Sequence, residues 1–383
     1  QWPGRVVSIN WGPWESSGMV SEGLQKQFAR LGVQVIPKIT GIQKMLQELS
    51  YGEKSDGQII IGGIEGWEKA QEKPEGQLPS SLPLFTHRSS ALRRENGTAE
   101  LIRSLDPSID LYLRDHTLDG KPVLPAAMAM ELMAEVASTS HPDLTLVRIR
   151  DFRVHSGILI QNGAVKIKVL AESHPGSGND RLSKVSITPD GASKKTHYAA
   201  VVEFSGGTPG PKPPVWEELH AEQRFPLSLD EAYEKLLFHG PLLQNIKEIC
   251  GVGSEGIRAW LTPSFPSDCL AAAAHSTWLI DPVIVDCAFQ LIILWTRVQR
   301  NMTALPSCFK TYTRLGSLSG EKIDCQIRIA PESGQNSIRS TIAFLNESGQ
   351  LLGIMEGVES TCSSSLNRLS GEQDLQFSTA GKK

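Results

Sequence analysis

Basic charge is in short supply: 38 Lys plus Arg stand against 42 Asp plus Glu in 383 residues, a net charge of −4. A protein that neutralises phosphates needs a cationic excess, so nucleic acid is not expected as a partner. Long hydrophobic runs are lacking as well. The longest apolar stretches, such as Leu291–Trp295, fall far short of the roughly 20 residues that span a bilayer, so no membrane role is expected. The six cysteines (Cys250, Cys269, Cys287, Cys308, Cys325 and Cys362) include no Cys-x-x-Cys pair and none matched with His at zinc-ligand spacing. Neither a disulfide framework nor a structural metal is therefore expected. The opening Gln1-Trp2-Pro3-Gly4 shows no basic segment leading into an apolar one. No secretory signal is expected, and reduced thiols in the cytoplasm are the default.

What is present is an ordinary globular composition, 40% hydrophobic and 21% charged, in a chain long enough for roughly two to four folding units. Arg5–Asn10 reads as a short strand broken by Trp11-Gly12-Pro13-Trp14. Ser21–Leu31 and Thr40–Leu49 carry apolar residues at helical spacing, with Thr40 able to cap the second, and Gln58–Ile61 returns as a strand. Polar composition then marks residues 66–98 as a linker after a first unit of residues 1–65.

The next stretch changes character. Leu111–His116 reads as extended, and Ala126–Ala137 as a helix apolar on nearly every face, with only Glu131 and Glu135 left for water or a polar partner. Strands follow at Leu144–Asp151, Gly157–Ile160, Val165–Glu172, Leu182–Thr188 and Tyr198–Phe204. A Pro/Gly block within 208–222 closes this half, residues 99–207. The order then repeats over 223–364: a short helix at Leu229–Leu237, strands near Lys247–Val252 and Gly256–Leu261, and an apolar helix at Pro282–Arg297. Strands at Thr311–Leu318, Lys322–Ala330, Ser337–Leu345 and Gln350–Thr361 complete it, and residues 365–383 form a polar tail. Two halves, each one buried helix against several antiparallel strands, make an α+β layout.

Three constellations can carry chemistry. His116, just before the first apolar helix, sits at the rim of an apolar pocket where lost hydration favours the neutral imidazole of a general base. The amides of Ala126 and Ala127 at that helix N-terminus can receive developing negative charge. Taken alone, a His before a helix is more often structural. Asp286 lies among Val285, Ala288 and Phe289, where a carboxylate is either paired or pushed toward its protonated, acid-capable form. Gln290, four residues on, shares its helical face and can orient it. The bland alternatives are a solvent-facing Asp286 and an Asp281 that merely caps the helix. The third, Phe238-His239-Gly240-Pro241-Leu242-Leu243-Gln244, reads by composition as a tight turn.

Taken together, His116-x-x-x-Gly120-x-x-x-x-Pro125, His239-Gly240-Pro241-x-x-Gln244 and Asp286-x-x-x-Gln290 resemble the dehydratase domain of type I polyketide and polyunsaturated fatty acid synthases. The resemblance spans roughly Leu101–Cys362. It implies a double hot-dog fold, two antiparallel sheets each wrapped on a central helix. It further implies that His116 removes an α-proton, that Asp286 protonates the departing β-hydroxyl, and that Gly120, Pro125, Ala126, His239, Gly240, Pro241, Gln244 and Gln290 shape the substrate site. No cofactor or metal is implied, because the substrate rides on the phosphopantetheine of an acyl carrier protein. That carrier and the other domains of the synthase are the implied partners, and a homodimer is compatible with them. One departure is Ala126, where the family usually has Gly. Val6–Trp14, with Gly18-Met19, is similar to the C-terminal end of a ketoreductase domain of the same synthases.

Two rivals are a catalytically silent hot-dog scaffold or docking module and a hot-dog thioesterase. Arg148 and Arg150, on one side of an extended strand, are the ordinary signature of a solvated sheet face; the alternative is a basic patch that docks an acidic carrier.

Overall fold

The computed structural model describes residues 6–15, 36–51, 58–61, 82–85, 91–161, 163–176, 179–191, 195–206, 216–219, 223–271 and 276–372. The chain divides into a unit of residues 1–76 and one of 77–383. In the first, β1 (Ser8–Trp11) pairs in parallel with β2 (Gln58–Ile61). Helix α1 (Lys38–Tyr51) begins two residues before Thr40, which lies inside the first turn and is not its cap. A Cβ on Gly41 would collide with the Trp14 ring, so only glycine lets α1 seat against that indole. The helix expected at Ser21–Leu31 falls outside the described residues.

The second unit opens earlier than its polar composition implies. β3 (Ala91–Glu95), inside the stretch read as a linker, pairs with β4 (Thr98–Leu105) across an Asn96-Gly97 turn. Both turn residues have positive φ, the geometry that suits a two-residue hairpin between twisted strands. Upstream, Leu82 and Leu84 are buried in the core. Leu111–Arg114 is a 3₁₀ turn where an extended run was expected. After the short ribbon of β5 (Thr117–Leu118) and β6 (Lys121–Pro122) comes α2 (Ala126–Ser138), followed by β7 (Thr145–Val154), β8 (Val165–Pro175), β9 (Arg181–Pro189) and β10 (Tyr198–Ser205). Gly157–Ile160 is not a strand. Its one ladder contact is an isolated bridge from Leu159 to Val123.

The second half repeats the plan: α3 (Leu229–Leu236), β11 (Ile246–Gly253), β12 (Gly256–Leu261), the single turn α4 (Pro266–Cys269), α5 (Pro282–Arg300), β13 (Thr303–Arg314), β14 (Ile323–Ile329), β15 (Ser337–Leu345) and β16 (Leu351–Ser363). The polar flanks of this half are partly built in. Trp216 Nε1 and the Leu219 amide both donate to Gln326 Oε1 at 2.9 Å, although these residues lie in the stretch read as a linker. Ser364–Leu369 forms a 3₁₀ turn with Asn367 buried.

Strand alternation explains how the sheets curl. Along β4 every second residue is buried, and β8, β9 and β10 show the same period over most of their length, which turns one face onto α2. The strands form one antiparallel sheet of twelve in the order β11-β12-β14-β15-β16-β13-β7-β10-β9-β8-β4-β3. The β13–β7 ladder, from Cys308↔Arg153 to Thr313↔Arg148, is the seam between the halves. This is the double hot-dog fold. Helix α5 has the length and apolarity of a membrane span, but its most apolar window is 89% buried in the protein, so the sheet takes the surface that lipid would otherwise cover.

Buried charge sits beside this apolar packing. Arg103 points inward from β4 and pairs with Asp110, both fully enclosed. On α2, one turn apart, Glu131 and Glu135 are completely buried. Burial pushes both carboxyls up, Glu131 to about 8. A raised native pKa means the folded state holds protons that the unfolded chain releases above about pH 4.3, so this pair's contribution to stability falls as pH rises toward about 8. Glu135→Gln supplies a permanently neutral partner. Urea midpoints at pH 5 and pH 8 should therefore differ less in the variant than in the wild type, and an equal difference would contradict the raised pKa of Glu135.

Candidate functional site

His116 lies between the 3₁₀ turn and the β5–β6 ribbon, which fixes its backbone: the Val123 amide donates to the His116 carbonyl at 3.0 Å. The ring is fixed as well, since its Nδ1 lies 2.8 Å from the Val123 carbonyl. A carbonyl only accepts, so Nδ1 carries a proton, and Nε2 is the ring nitrogen left for another partner. Phe238 packs edge-on against the ring at 5.5 Å.

Asp286 comes from the other half. It lies in the second turn of α5, 4% exposed, with Gln290 Nε2 donating to its Oδ2 at 2.9 Å. The expected i, i+4 pair is present. The same Gln290 nitrogen also donates to the Leu243 carbonyl at 2.8 Å, which ties the carboxylate to the 3₁₀ turn Pro241–Leu243. Burial raises the Asp286 pKa, and both the nearby His116 and the Gln290 donor oppose that rise. The net direction is toward a protonated, acid-capable carboxyl.

The third motif carries more than turn geometry. His239 is buried, its backbone bridges to that of His116, and its Nε2 lies 3.5 Å from Asp286 Oδ2. Burial drives its pKa well below the usual value, aided by the neighbouring His116, so the ring is neutral. One nitrogen or oxygen from each of His116, His239 and Asp286 lies within 4.8 Å of the others. Asp115, to which no sequence pattern gives a role, organises the turn. Its carbonyl accepts from the Gly240 amide at 2.7 Å and its Oδ2 from the Leu242 amide at 2.7 Å. A Cβ on Gly240 would sit 2.6 Å from the Asp115 carboxyl, so this approach requires glycine.

Other expected site residues are placed differently. Gly120 is exposed at the tip of the β5–β6 turn with nothing within 4 Å of its would-be Cβ, so it shapes the ribbon and does not line the buried site. Pro241 and Gln244 are exposed too, and Gln244 acts on the turn by donating from Nε2 to the His239 carbonyl at 2.8 Å. Pro125 occupies the N-cap position of α2 and offers no side-chain cap, and Ala126, half-buried, is the first helical residue. Arg148 and Arg150 do not form a free basic patch, because both pair with Glu203 on the adjacent β10.

Two buried carboxylates hold the entry to α5. Glu131 accepts from the amides of Leu279 at 2.7 Å and Ile280 at 3.0 Å, while Arg314 Nε donates to the Leu279 carbonyl at 3.1 Å. Asp281 caps α5 by accepting from the Val283 and Ile284 amides, and it takes two further bonds from Ser264. It does so with φ 55°, a conformation Asp tolerates better than Ala. Burial raises its pKa to about 6 against those donors. The capping role set against function in the sequence is thus filled by Asp281, and Asp286 takes no part in it. Asp281→Ala should cost about 2 kcal/mol or more, the loss of a cap plus donors left bare, with Asp281→Asn recovering part of it. Urea denaturation decides this, and equal midpoints for all three proteins would refute the role.

The family described as "Polyketide synthase dehydratase domain" matches residues 83–186, and that described as "Polyketide synthase dehydratase N-terminal domain" matches residues 211–369, together more than half of the chain. Among curated proteins, a polyunsaturated fatty acid synthase subunit from Thraustochytrium sp. is 26% identical over 352 residues, which are 90% of this chain and 12% of that protein. The chain thus spans a small part of the relative it matches. Among solved structures, the dehydratase domain from the CurJ module of curacin polyketide synthase aligns with a TM-score of 0.57 at 16% identity, over 76% of this chain and 99% of that one. A trans-AT polyketide synthase dehydratase domain from Brevibacillus brevis gives 0.57 at 17% identity, over 73% and 100%. These likenesses agree with the fold, and the matched families cover both halves that meet at His116 and Asp286: the chain belongs to the polyketide synthase dehydratase family.

Proposed function

We propose that this chain eliminates water from a 3-hydroxyacyl thioester carried by an acyl carrier protein, giving a 2-enoyl thioester, as a hydro-lyase domain of a larger synthase. The observation that carries this reading is the convergence of a ring nitrogen of His116 and a buried, protonatable carboxyl of Asp286, one from each half, within 4.8 Å. His116 Nε2 takes the α-proton, which the thioester carbonyl acidifies. The electrons left on Cα form the new double bond as the Cβ–O bond breaks, and Asp286 gives its proton to the departing hydroxyl, so water leaves. Charge developing on the thioester oxygen is met by the uncapped N-terminus of α2, where the Ala126 and Ala127 amides point outward along the helix axis.

All the acid–base work falls to side chains of the chain itself, and the reaction calls for no cofactor beyond the carrier's phosphopantetheine arm. Two neighbours support the assignment of roles: the CurJ dehydratase is inactive as a His-to-Phe mutant and the CurK dehydratase as an Asp-to-Asn mutant. Residues 1–65 are proposed to be the end of a preceding ketoreductase domain, in keeping with the parallel β1–β2 pair and α1. The carrier is proposed to dock elsewhere than at Arg148 and Arg150, whose charge Glu203 partly cancels.

A synthetic 3-hydroxyacyl thioester should lose one water, read by mass spectrometry. His116→Ala and Asp286→Asn should each lower turnover on the order of a hundredfold or more, with the double mutant little worse than either single, because both act in one step. Hydrolysis to a free acid would instead indicate a thioesterase. No turnover by wild type on any chain length would indicate a silent module.

A further inference from the structure

His239 has no ordinary use for its ring nitrogens in the fold. Its Nδ1 is buried without a hydrogen-bond partner, and its Nε2, at 3.5 Å from Asp286 Oδ2, is beyond a good hydrogen bond. Nε2, beside Asp286, is therefore the ring nitrogen open to a ligand. Around it stand His116 and Asp286, so two imidazoles and one carboxylate face a common point from three separate elements.

The spacing suits a small cation. Three atoms no more than 4.8 Å apart always have a point within about 2.8 Å of all of them, whereas zinc bonds to His and carboxylate ligands are about 2.0–2.1 Å long. Each donor would move in by about 0.8 Å at most. The His239–Asp286 pair, at 3.5 Å, is already near the separation of about 3.3 Å between two ligands of a tetrahedral ion. Two of the three donors are also held from behind as metal ligands usually are: His116 Nδ1 donates to the Val123 carbonyl and Asp286 is gripped by Gln290. Nitrogen donors favour zinc, cobalt, nickel or copper over the oxygen-seeking calcium and magnesium.

We propose that His116, His239 and Asp286 bind one divalent transition-metal ion of the zinc class, and that this ion reversibly shuts the site. The inhibitory half of the proposal rests on the dehydratase reading. A bound ion occupies the lone pair that His116 needs to accept a proton and the carboxylate that Asp286 needs to donate one. It also fills the space of the substrate's α and β carbons, so metal and thioester exclude each other.

The probe is cobalt(II), added to the full chain after chelator treatment and followed by its visible absorption. One equivalent should produce a d–d band that one equivalent of zinc abolishes. His239→Phe and the near-isosteric Asp286→Asn should each weaken cobalt binding by at least about tenfold. Gln290→Leu, which keeps all three donors but frees the Asp286 carboxylate, should weaken it by a similar factor. Dehydration by the chelator-treated wild type should fall on adding zinc and return with chelator or with saturating thioester. Unchanged cobalt affinity in His239→Phe and Asp286→Asn would overturn the site, as would a near-ultraviolet thiolate band showing that cysteines such as exposed Cys250 are the ligands. If cobalt binds as described but no thioester loses water, the metal site stands and the dehydratase reading falls. If activity instead requires zinc, the inhibitory role is overturned.

Discussion

The carboxylate of Glu131 is the interaction on which the two halves depend. It grows from the helix at the centre of the first half, yet both its oxygens are taken by backbone amides that lead into the central helix of the second. A buried carboxyl group is costly unless its oxygens are hydrogen-bonded, and here the amides that bond them belong to the peptide units just ahead of the Asp281 cap. Arg314 holds the other side of the same residue, so Leu279 is gripped at both its N–H and its C=O. The axial position of α5, and with it the reach of Asp286, follows from that grip. The β13–β7 ladder joins the halves at the sheet level, and Glu131 joins them at the level of their cores.

Much of the fold was legible because periodicity reports burial. The two apolar helices and most strands stand within a few residues of where their hydrophobic patterns place them. The failures have particular causes. β4 alternates like any strand, but Arg103 occupies one of its inward positions and Asp110 neutralises it there, so the apolar period is interrupted by a charge that only tertiary structure can justify. β3 carries the Arg93-Arg94-Glu95 run on an edge, where charge is favoured, and its Asn-Gly turn was a hairpin signal hidden among polar neighbours. Leu111–Arg114 is apolar like a strand and coils instead as a 3₁₀ turn.

The site was legible in residue types more than in roles. The pairing of Asp286 with Gln290 follows from helical geometry, and so does the choice of Asp281 over Asp286 as the cap once the helix start is known. His239 was harder, because what distinguishes it from a turn residue is its distance to a carboxylate more than forty positions away in the chain. Asp115 offered no pattern at all, since its partners at 240 and 242 lie across the junction of the halves. Arg148 and Arg150 showed the converse error: strand geometry puts them on one side, but the Glu203 that meets them sits on a neighbouring strand.

The backbone bridge between His116 and His239, locked by Asp115 on a glycine that leaves no room for a side chain, sets the spacing of the two imidazoles by main-chain geometry. Side-chain rotamers can relax when neighbouring core residues drift in sequence, but a main-chain spacing survives such drift as long as its glycine and its carboxylate remain. The spacing of the two rings is thereby insulated from evolutionary drift in the side chains packed around them.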